Sequence, residues 1–374
     1  MMKSGKREDT GRGYKTFQPT PLFEIEKELD ISKLYSLVEK SSIALGELRA
    51  LDTLLPNPEL LIERYALKEA LLSSQIEGTQ STLVEVIENQ NVDDSGLKVD
   101  IVEVKNYLKA LNYGVDAITQ GVLPLSNRLI KKCHNILMNN VRGGEPHKTK
   151  GEFRRSQNYI GGNKPSNAVF VPPREDTVIE MMSDLEKYIH NGEFPDVIKS
   201  ALIHYQFETI HPFLDGNGRI GRLFIILYLI EKRVIHSQTL YLSLYLKKHK
   251  MDYYELLTNV RENGDYIKWI TFFLNGIIAV CEQIMKTTKN IIRLKDEDTK
   301  KLKGENEYKL LDLLFLTPRV DVKTIKVKLG VSNQTANMLV KKFEDKGILK
   351  SVNTKQRYRK FIYSAYIYII EAEL

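Results

Sequence analysis

The segment His211-Pro-Phe-Leu-Asp-Gly-Asn-Gly-Arg-Ile-Gly-Arg222 runs straight into the apolar stretch Leu223-Phe-Ile-Ile-Leu-Tyr-Leu-Ile230. This reads as a loop entering a helix. Ahead of it, residues 197–210 form a helical run that Pro212 stops. The loop therefore lies at a helix amino terminus, where unpaired backbone N–H groups and the positive end of the helix dipole favour an anion. Its glycines let phosphate oxygens approach the backbone. Arg219 and Arg222 are three apart, share a face of the first turn and present forked donors suited to β and γ phosphates. Asp215 is the one carboxylate nearby, and a Mg²⁺ ion held on phosphates needs just one or two. His211 brings a neutral imidazole that can take a proton from an incoming hydroxyl attacking phosphorus. Taken singly, Asp-Gly-Asn-Gly is a common turn and a His before Pro is usually structural. Only the combination points to phosphate chemistry.

The twelve positions fit the pattern His-Pro-Phe-x-Asp/Glu-Gly-Asn-Gly-Arg-x-x-Arg without a departure, and Leu202-Ile-His-Tyr-Gln-Phe-Glu-Thr-Ile210 is of the same kind. In these residues the chain resembles the Fic family. The resemblance implies a mainly α fold: a Fic-type helical bundle with a β-hairpin flap. It also implies that His211 is the general base, that Asp215 binds Mg²⁺, and that Gly216, Asn217, Gly218, Arg219, Ile220, Gly221 and Arg222 hold the phosphates of ATP. The stretch from Phe153 through Ile160, Gly161 and Gly162 to Ala168-Val-Phe-Val-Pro-Pro173 is similar to the family's flap, which covers the nucleotide and pairs with the target backbone. An ordinary surface hairpin is the other reading. Tyr253-Tyr254 resemble the wall of the adenine pocket, with Tyr254 the matching residue; Asn263 matches less well because the alignment slips by a residue. Ser73-Ser-Gln-Ile-Glu77-Gly78 matches the family's inhibitory motif. Ser73 and Glu77 are four apart on one helical face, and the resemblance implies that the Glu77 carboxylate pairs with an arginine of the catalytic loop, Arg222, and holds it away from the γ phosphate. A solvated helix face is the plain alternative.

The activity implied is transfer of AMP from Mg-ATP to a Ser, Thr or Tyr hydroxyl of a target protein and of the chain itself, with homodimers among such relatives. Two other readings stand beside it. One is AMP removal, or transfer of another phosphate-bearing group, on the same loop. The other is a DNA-binding regulator whose Fic domain senses nucleotide.

At 374 residues and 42% hydrophobic residues, the chain is long enough for two or three packed units. Residues 1–20 are polar and glycine-bearing and suit a loose arm; 21–122 suit a helical amino-terminal domain, and 123–300 the Fic catalytic domain. The apolar runs at 223–230 and 269–281 are too short or too interrupted to cross a bilayer. With no apolar leader at the amino terminus, the expected location is the cytoplasm. Cys133 and Cys281, each among apolar residues, suggest neither a disulfide nor a zinc site.

Residues 301–374 differ in kind. From Glu305 onward, thirteen Lys and Arg stand against eight Asp and Glu, which suits an acidic partner. The order helix, helix, Gly330-Val-Ser turn, helix, then β-rich pieces including Tyr366-Ile-Tyr-Ile-Ile resembles a winged helix-turn-helix. Its recognition helix would present Ser332, Asn333, Gln334, Thr335 and Asn337 to base edges. Lys341, Lys342, Lys355, Arg357, Arg359 and Lys360 would meet DNA phosphates. Protein contact or dimerisation is the alternative use of such a module.

Overall fold

The computed structural model describes residues 3–54, 58–90, 92–142, 149–352 and 359–372, so Lys355 and Arg357 lie outside the described residues. In chain order the elements are β1 (Gly5–Asp9), β2 (Lys15–Pro19), α1 (Leu22–Glu28), α2 (Tyr35–Leu54), α3 (Pro58–Ile76), α4 (Leu83–Asn89), α5 (Val99–Thr119) and α6 (Asn127–Leu137). There follow α7 (Val178–Asn191), α8 (Asp196–Ile210), α9 (Asn217–Glu231), α10 (Ser243–Lys248), α11 (Lys250–Asn263) and α12 (Tyr266–Thr299). The chain ends with α13 (Glu305–Leu316), β3 (Arg319–Asp321), α14 (Val322–Leu329), α15 (Asn333–Asp345), β4 (Lys350–Ser351), β5 (Lys360–Ile362) and α16 (Ser364–Glu371).

These elements pack as two units, one of residues 1–58, 62–82 and 93–282, the other of 59–61, 83–92 and 283–374. In the first, α8 and α9 form the centre. Val197 to Ile210 are buried without interruption, and so are Ile220 to Ile230. Residues 211–216 join the two helices, so the motif is carried between two elements the core holds rigidly. The expected boundary at 122/123 does not divide this unit, because α5 packs along both α6 and α9. Gly114 of α5 makes the close approach: a Cβ there would lie 2.7 Å from Leu227 of α9 and 3.3 Å from the Cys133 sulfur.

The loose arm expected over 1–20 is instead a hairpin, with β1 antiparallel to β2 from Gly5↔Pro19 to Asp9↔Lys15. Gly11 and Gly13, read as loosening the chain, sit at φ +68° and +78° and close the turn. Phe17 and Thr16 are buried and anchor it. The expected flap hairpin is slighter than foreseen. It has one antiparallel bridge, in which the Ile160 N–H donates to the Phe170 carbonyl (2.8 Å) and the reverse bond is 3.1 Å. Gly161 and Gly162, at φ +70° and +72°, turn the chain between the two strands.

By length and composition, α12 is apolar and long enough to cross a membrane, contrary to the expectation from its interrupted sequence, and 56% of its most apolar window is buried within the protein. The interruptions at Thr271, Asn275 and Gly276 are mild enough that a helix runs through them.

In the second unit, α13, α14 and α15 accompany a three-stranded antiparallel sheet of order β3-β5-β4. Ser332 caps α15, accepting from the Thr335 N–H at 3.1 Å, and Gly330 ends α14 at φ +68°. Tyr366 to Ile370, expected as a strand, lies in α16. Its buried residues are Tyr366, Ile367 and Ile370 while Tyr368 is 77% exposed, a helical spacing that the alternation of β-formers in the sequence conceals.

Candidate active site

The loop between α8 and α9 is pinned from several sides. His211 caps α8 in the left-handed region at φ 50° and ψ 61°, a conformation a non-glycine residue keeps only when its surroundings enforce it. Those surroundings are buried Arg154, which donates to the carbonyls of His211 (3.0 Å) and Pro173 (2.6 Å), and Asn158, which donates to those of His211 (3.2 Å) and Phe213 (2.8 Å). Asn217 reaches back, its amide accepting from and donating to the Phe213 backbone at 2.8 Å each. His134 of α6 stacks on the Phe213 ring at 3.8 Å. The Gly151 N–H donates to its Nδ1, so its Nε2 carries the proton and donates to the Asp215 carbonyl at 3.0 Å. Gly216, the N-cap of α9 at φ 76°, passes so close to Met138 that a Cβ would lie 2.7 Å from its sulfur.

Above this loop opens a cleft of about 540 Å³. His211, Asp215, Gly216, Asn217, Gly218, Arg219 and Arg222 line it, as do Ile160, Gly161, Tyr254 and Glu77 from other parts of the chain. The sequence reading thus gathers in one place most of what it nominated. Ile220 does not join them: its side chain is fully buried on the core face of α9. Gly221 packs against the Glu208 carboxyl, and Gly162 turns against Asn167, 2.5 Å from where its Cβ would stand. Asn263 hydrogen-bonds Asn259 and is absent from the lining.

His211 is kept neutral. Burial, then the charges of Arg261 and Arg154, push its pKa down to about 3. Its Nδ1 is buried and has no hydrogen-bond partner. Nearby His204, expected as a packed residue, is also neutral, lowered to about 3 by burial. Its Nδ1 donates to the Gly221 carbonyl (3.0 Å) and its Nε2 accepts from the Tyr253 hydroxyl (2.9 Å).

The two loop arginines each face a carboxylate. Arg222, 1% exposed, donates to the Ser73 hydroxyl (2.8 Å), the Ser73 carbonyl (3.0 Å) and Glu77 Oε1 (2.6 Å). Burial disfavours the Glu77 charge, but Arg222 outweighs it and holds the carboxyl below its usual range. The same Glu77 oxygen presses on Gly218 at the amino end of α9, on the site a Cβ would take. Gly78, at φ +105°, lets the chain leave α3 just beyond. Arg219 reaches Glu103 at 3.4 Å, which also binds Arg142 at 2.8 Å.

Residues 35–116 match the model of the Fic/DOC family N-terminal region and 124–229 that of the Fic/DOC family, together just over half of the chain. The chain belongs to the Fic/DOC family. Among its Fic relatives, a protein adenylyltransferase Fic of Drosophila virilis is 30% identical over 211 residues, which are 54% of this chain and 39% of that protein. One of Aedes aegypti is 34% identical over 125 residues, 33% of this chain and 22% of that protein. The chain therefore spans well under half the length of these relatives. In fold it is similar to a Fic family protein from Desulfovibrio desulfuricans, with a TM-score of 0.57 at 19% identity over 90% of this chain and 97% of that one. A Fic domain containing signaling protein from Bacteroides thetaiotaomicron gives 0.51 at 18% identity, over 68% and 95%. The mainly helical Fic fold is common to all three.

Sequence reading overlooked the residues that hold the Fic loop in shape. Arg154, Asn158 and His134 act on backbone carbonyls, which no motif spacing reports. Glu208 was quoted within its helix but given no role. It is buried in the cleft, its Oε1 has no partner, and burial raises its pKa to about 7. Only the glycine at 221, facing it one helix away, hinted at a close neighbour.

Proposed function

We propose that this chain transfers AMP from Mg-ATP to a hydroxyl of a target protein and of itself, and that Glu77 holds the site in check. One observation carries the reading: a buried, neutral imidazole, that of His211, whose Nδ1 has no partner, lines a cleft floored by the glycine-rich amino terminus of α9. The relatives named protein adenylyltransferase support it.

In this reading the N–H groups at the start of α9 receive the phosphates, with Gly216 and Gly218 admitting them closely. Arg222 and Arg219 neutralise charge on the leaving pyrophosphate. His211 takes the proton from the acceptor hydroxyl as its oxygen attacks the α-phosphorus, and pyrophosphate departs in line. Asp215 fits a hard cation: it is a carboxylate on the cleft wall, and no cluster of three or more ligating residues among the described residues could hold a metal alone, so phosphates would supply the rest of the shell. Such a Mg²⁺ would add charge neutralisation on the phosphates. Tyr254 offers a ring face at the cleft wall to the base.

Glu77 opposes this chemistry twice. It occupies Arg222, and it sets a carboxylate against Gly218 where an anionic phosphate would sit. The test is intact-mass measurement after incubation with Mg-ATP. The Glu77→Gly chain should gain AMP on Ser, Thr or Tyr faster than the unaltered chain. Nucleotide binding without any gain in mass would overturn the reading in favour of a nucleotide sensor.

The carboxy-terminal unit has the helix, strand, helix, helix, strand, strand order of a winged helix, and we propose that it binds DNA through α15. Ser332, Asn333, Gln334 and Asn337 are exposed there, which supports that use.

A further inference from the structure

The flap carries an unusual attachment. The Phe17 N–H of β2 donates to the Val171 carbonyl at 3.0 Å, on the side of the flap strand opposite Ile160. The Phe17 ring, 4% exposed, lies 6.0 Å from that of Phe170. Phe170 also meets Arg261 of α11, whose guanidinium lies 3.9 Å from the ring centroid. Arg261 also donates to the Thr209 hydroxyl (3.2 Å) and the Glu208 carbonyl (3.4 Å), just before His211, and its own carbonyl accepts from the Ser4 hydroxyl at 3.0 Å. Among the charges around His211 it contributes most to keeping that imidazole neutral.

We infer that the N-terminal hairpin is a strut for the flap, and that Phe17 and Arg261 are positioning residues for the acceptor strand and for His211. The flap by itself is one bridged residue pair, too little to persist in water. Joined to β2, it becomes the outer part of a run of neighbours: β1, β2, residues 170–171, residue 160. Backbone groups alternate in direction along a strand. Those of Ile160 point to Phe170, so those of Tyr159 point to the opposite side, ahead of the turn that begins at Gly161. The hairpin closes one side of the flap, and the side left for an incoming chain is that of Tyr159, exposed and next to the cleft. This assignment of the acceptor side rests on the protein-transferase reading; the strut itself does not.

The experiment uses the full chain carrying Glu77→Gly, with Phe17→Ala and, as the conservative control, Phe17→Tyr. Three quantities are read: amide exchange of Ile160 and Phe170, Mg-ATP affinity, and the rate of self-modification. Phe17→Ala should speed flap exchange by about tenfold and slow self-modification, with Mg-ATP affinity within about twofold, and Phe17→Tyr should restore both rates. Unchanged flap exchange in Phe17→Ala overturns the strut. Faster exchange with an unchanged modification rate overturns the positioning role. If the Glu77→Gly chain alone fails to modify itself, the transferase reading is lost while the exchange measurement still decides on the strut.

Discussion

In the cleft of the first unit the loop arginines are buried and paired with carboxylates; in the second unit the cations on and beside α15 stand about half in solvent. Arg222 is 1% exposed and makes three hydrogen bonds, and Arg154 is buried against four backbone carbonyls. Lys342 keeps half its side chain in water but pairs with Glu307 at 2.8 Å, and Arg359 pairs with Glu344 at 3.0 Å. Buried Glu307 also takes Lys346 at 2.5 Å. A count of charges along the sequence treats the two regions alike. The difference lies in what each charge already holds: in the cleft the pairs leave the His211 Nδ1 and the Glu208 Oε1 unpartnered, while in the second unit they engage cations that the sequence had assigned to DNA.

The largest effect expected from breaking this contrast is at His211. With the other groups of the cleft left in place, His211→Ala should lower the self-modification rate of the Glu77→Gly chain by about 10²- to 10⁴-fold with Mg-ATP binding retained, read by radiolabelled ATP and by equilibrium binding. Retention of the rate would place the base elsewhere.

The second effect is on stability. Burial lowers the pKa of His134 to about 4, and those of His204 and His211 to about 3, all from 6.5. As pH falls below 6.5 the unfolded chain takes up protons at these positions that the folded chain refuses, so stability is lost on acidification, at about 1.4 kcal/mol per pH unit for each group. Glu208 works the other way. Its folded pKa, about 7, exceeds 4.5, so between those values the folded state holds a proton that the unfolded state has released. The thermal midpoint should therefore drop between about pH 6.5 and 5, more steeply for Glu208→Gln and less steeply for His211→Ala. Parallel slopes for all three chains would contradict the burial of these groups.

Legibility followed the same divide. The dense motif brought His211, Asp215 and Arg222 to one cleft because loop, helix start and side-chain spacing are local properties. Ser73 and Glu77 were legible too, since four residues on one helix face fix their direction. The Ile220 side chain lies off the cleft, and pattern membership does not say which face of α9 a residue takes. The hairpin at 5–19 was missed because Phe17 is held by a distant segment, and no local period reports that. Tyr366 to Ile370 misled for the reverse reason: its composition favours a strand, and burial beside Phe315, 4.8 Å from Tyr366, selects the helix.

The smallest expected effect tests the second unit. Lys341 and Lys342 are adjacent on α15, and charge counting gives them equal weight toward a DNA backbone. The structure separates them, because Lys342 is bound to buried Glu307. In the full-length chain, Lys341→Ala should weaken DNA binding and reduce the slope of log affinity against log salt by about 1, as expected for one lost phosphate contact. Lys342→Ala should change that slope much less, since its ion pair already opposes release toward a phosphate. It should cost stability instead, because among the described residues Glu307 then keeps Lys346 and a long bond from the Lys303 N–H at 3.4 Å. Equal slopes for the two variants would mean that the pair with Glu307 yields to DNA. Two unchanged slopes would remove α15 from any nucleic-acid contact and leave protein contact as the use of this unit.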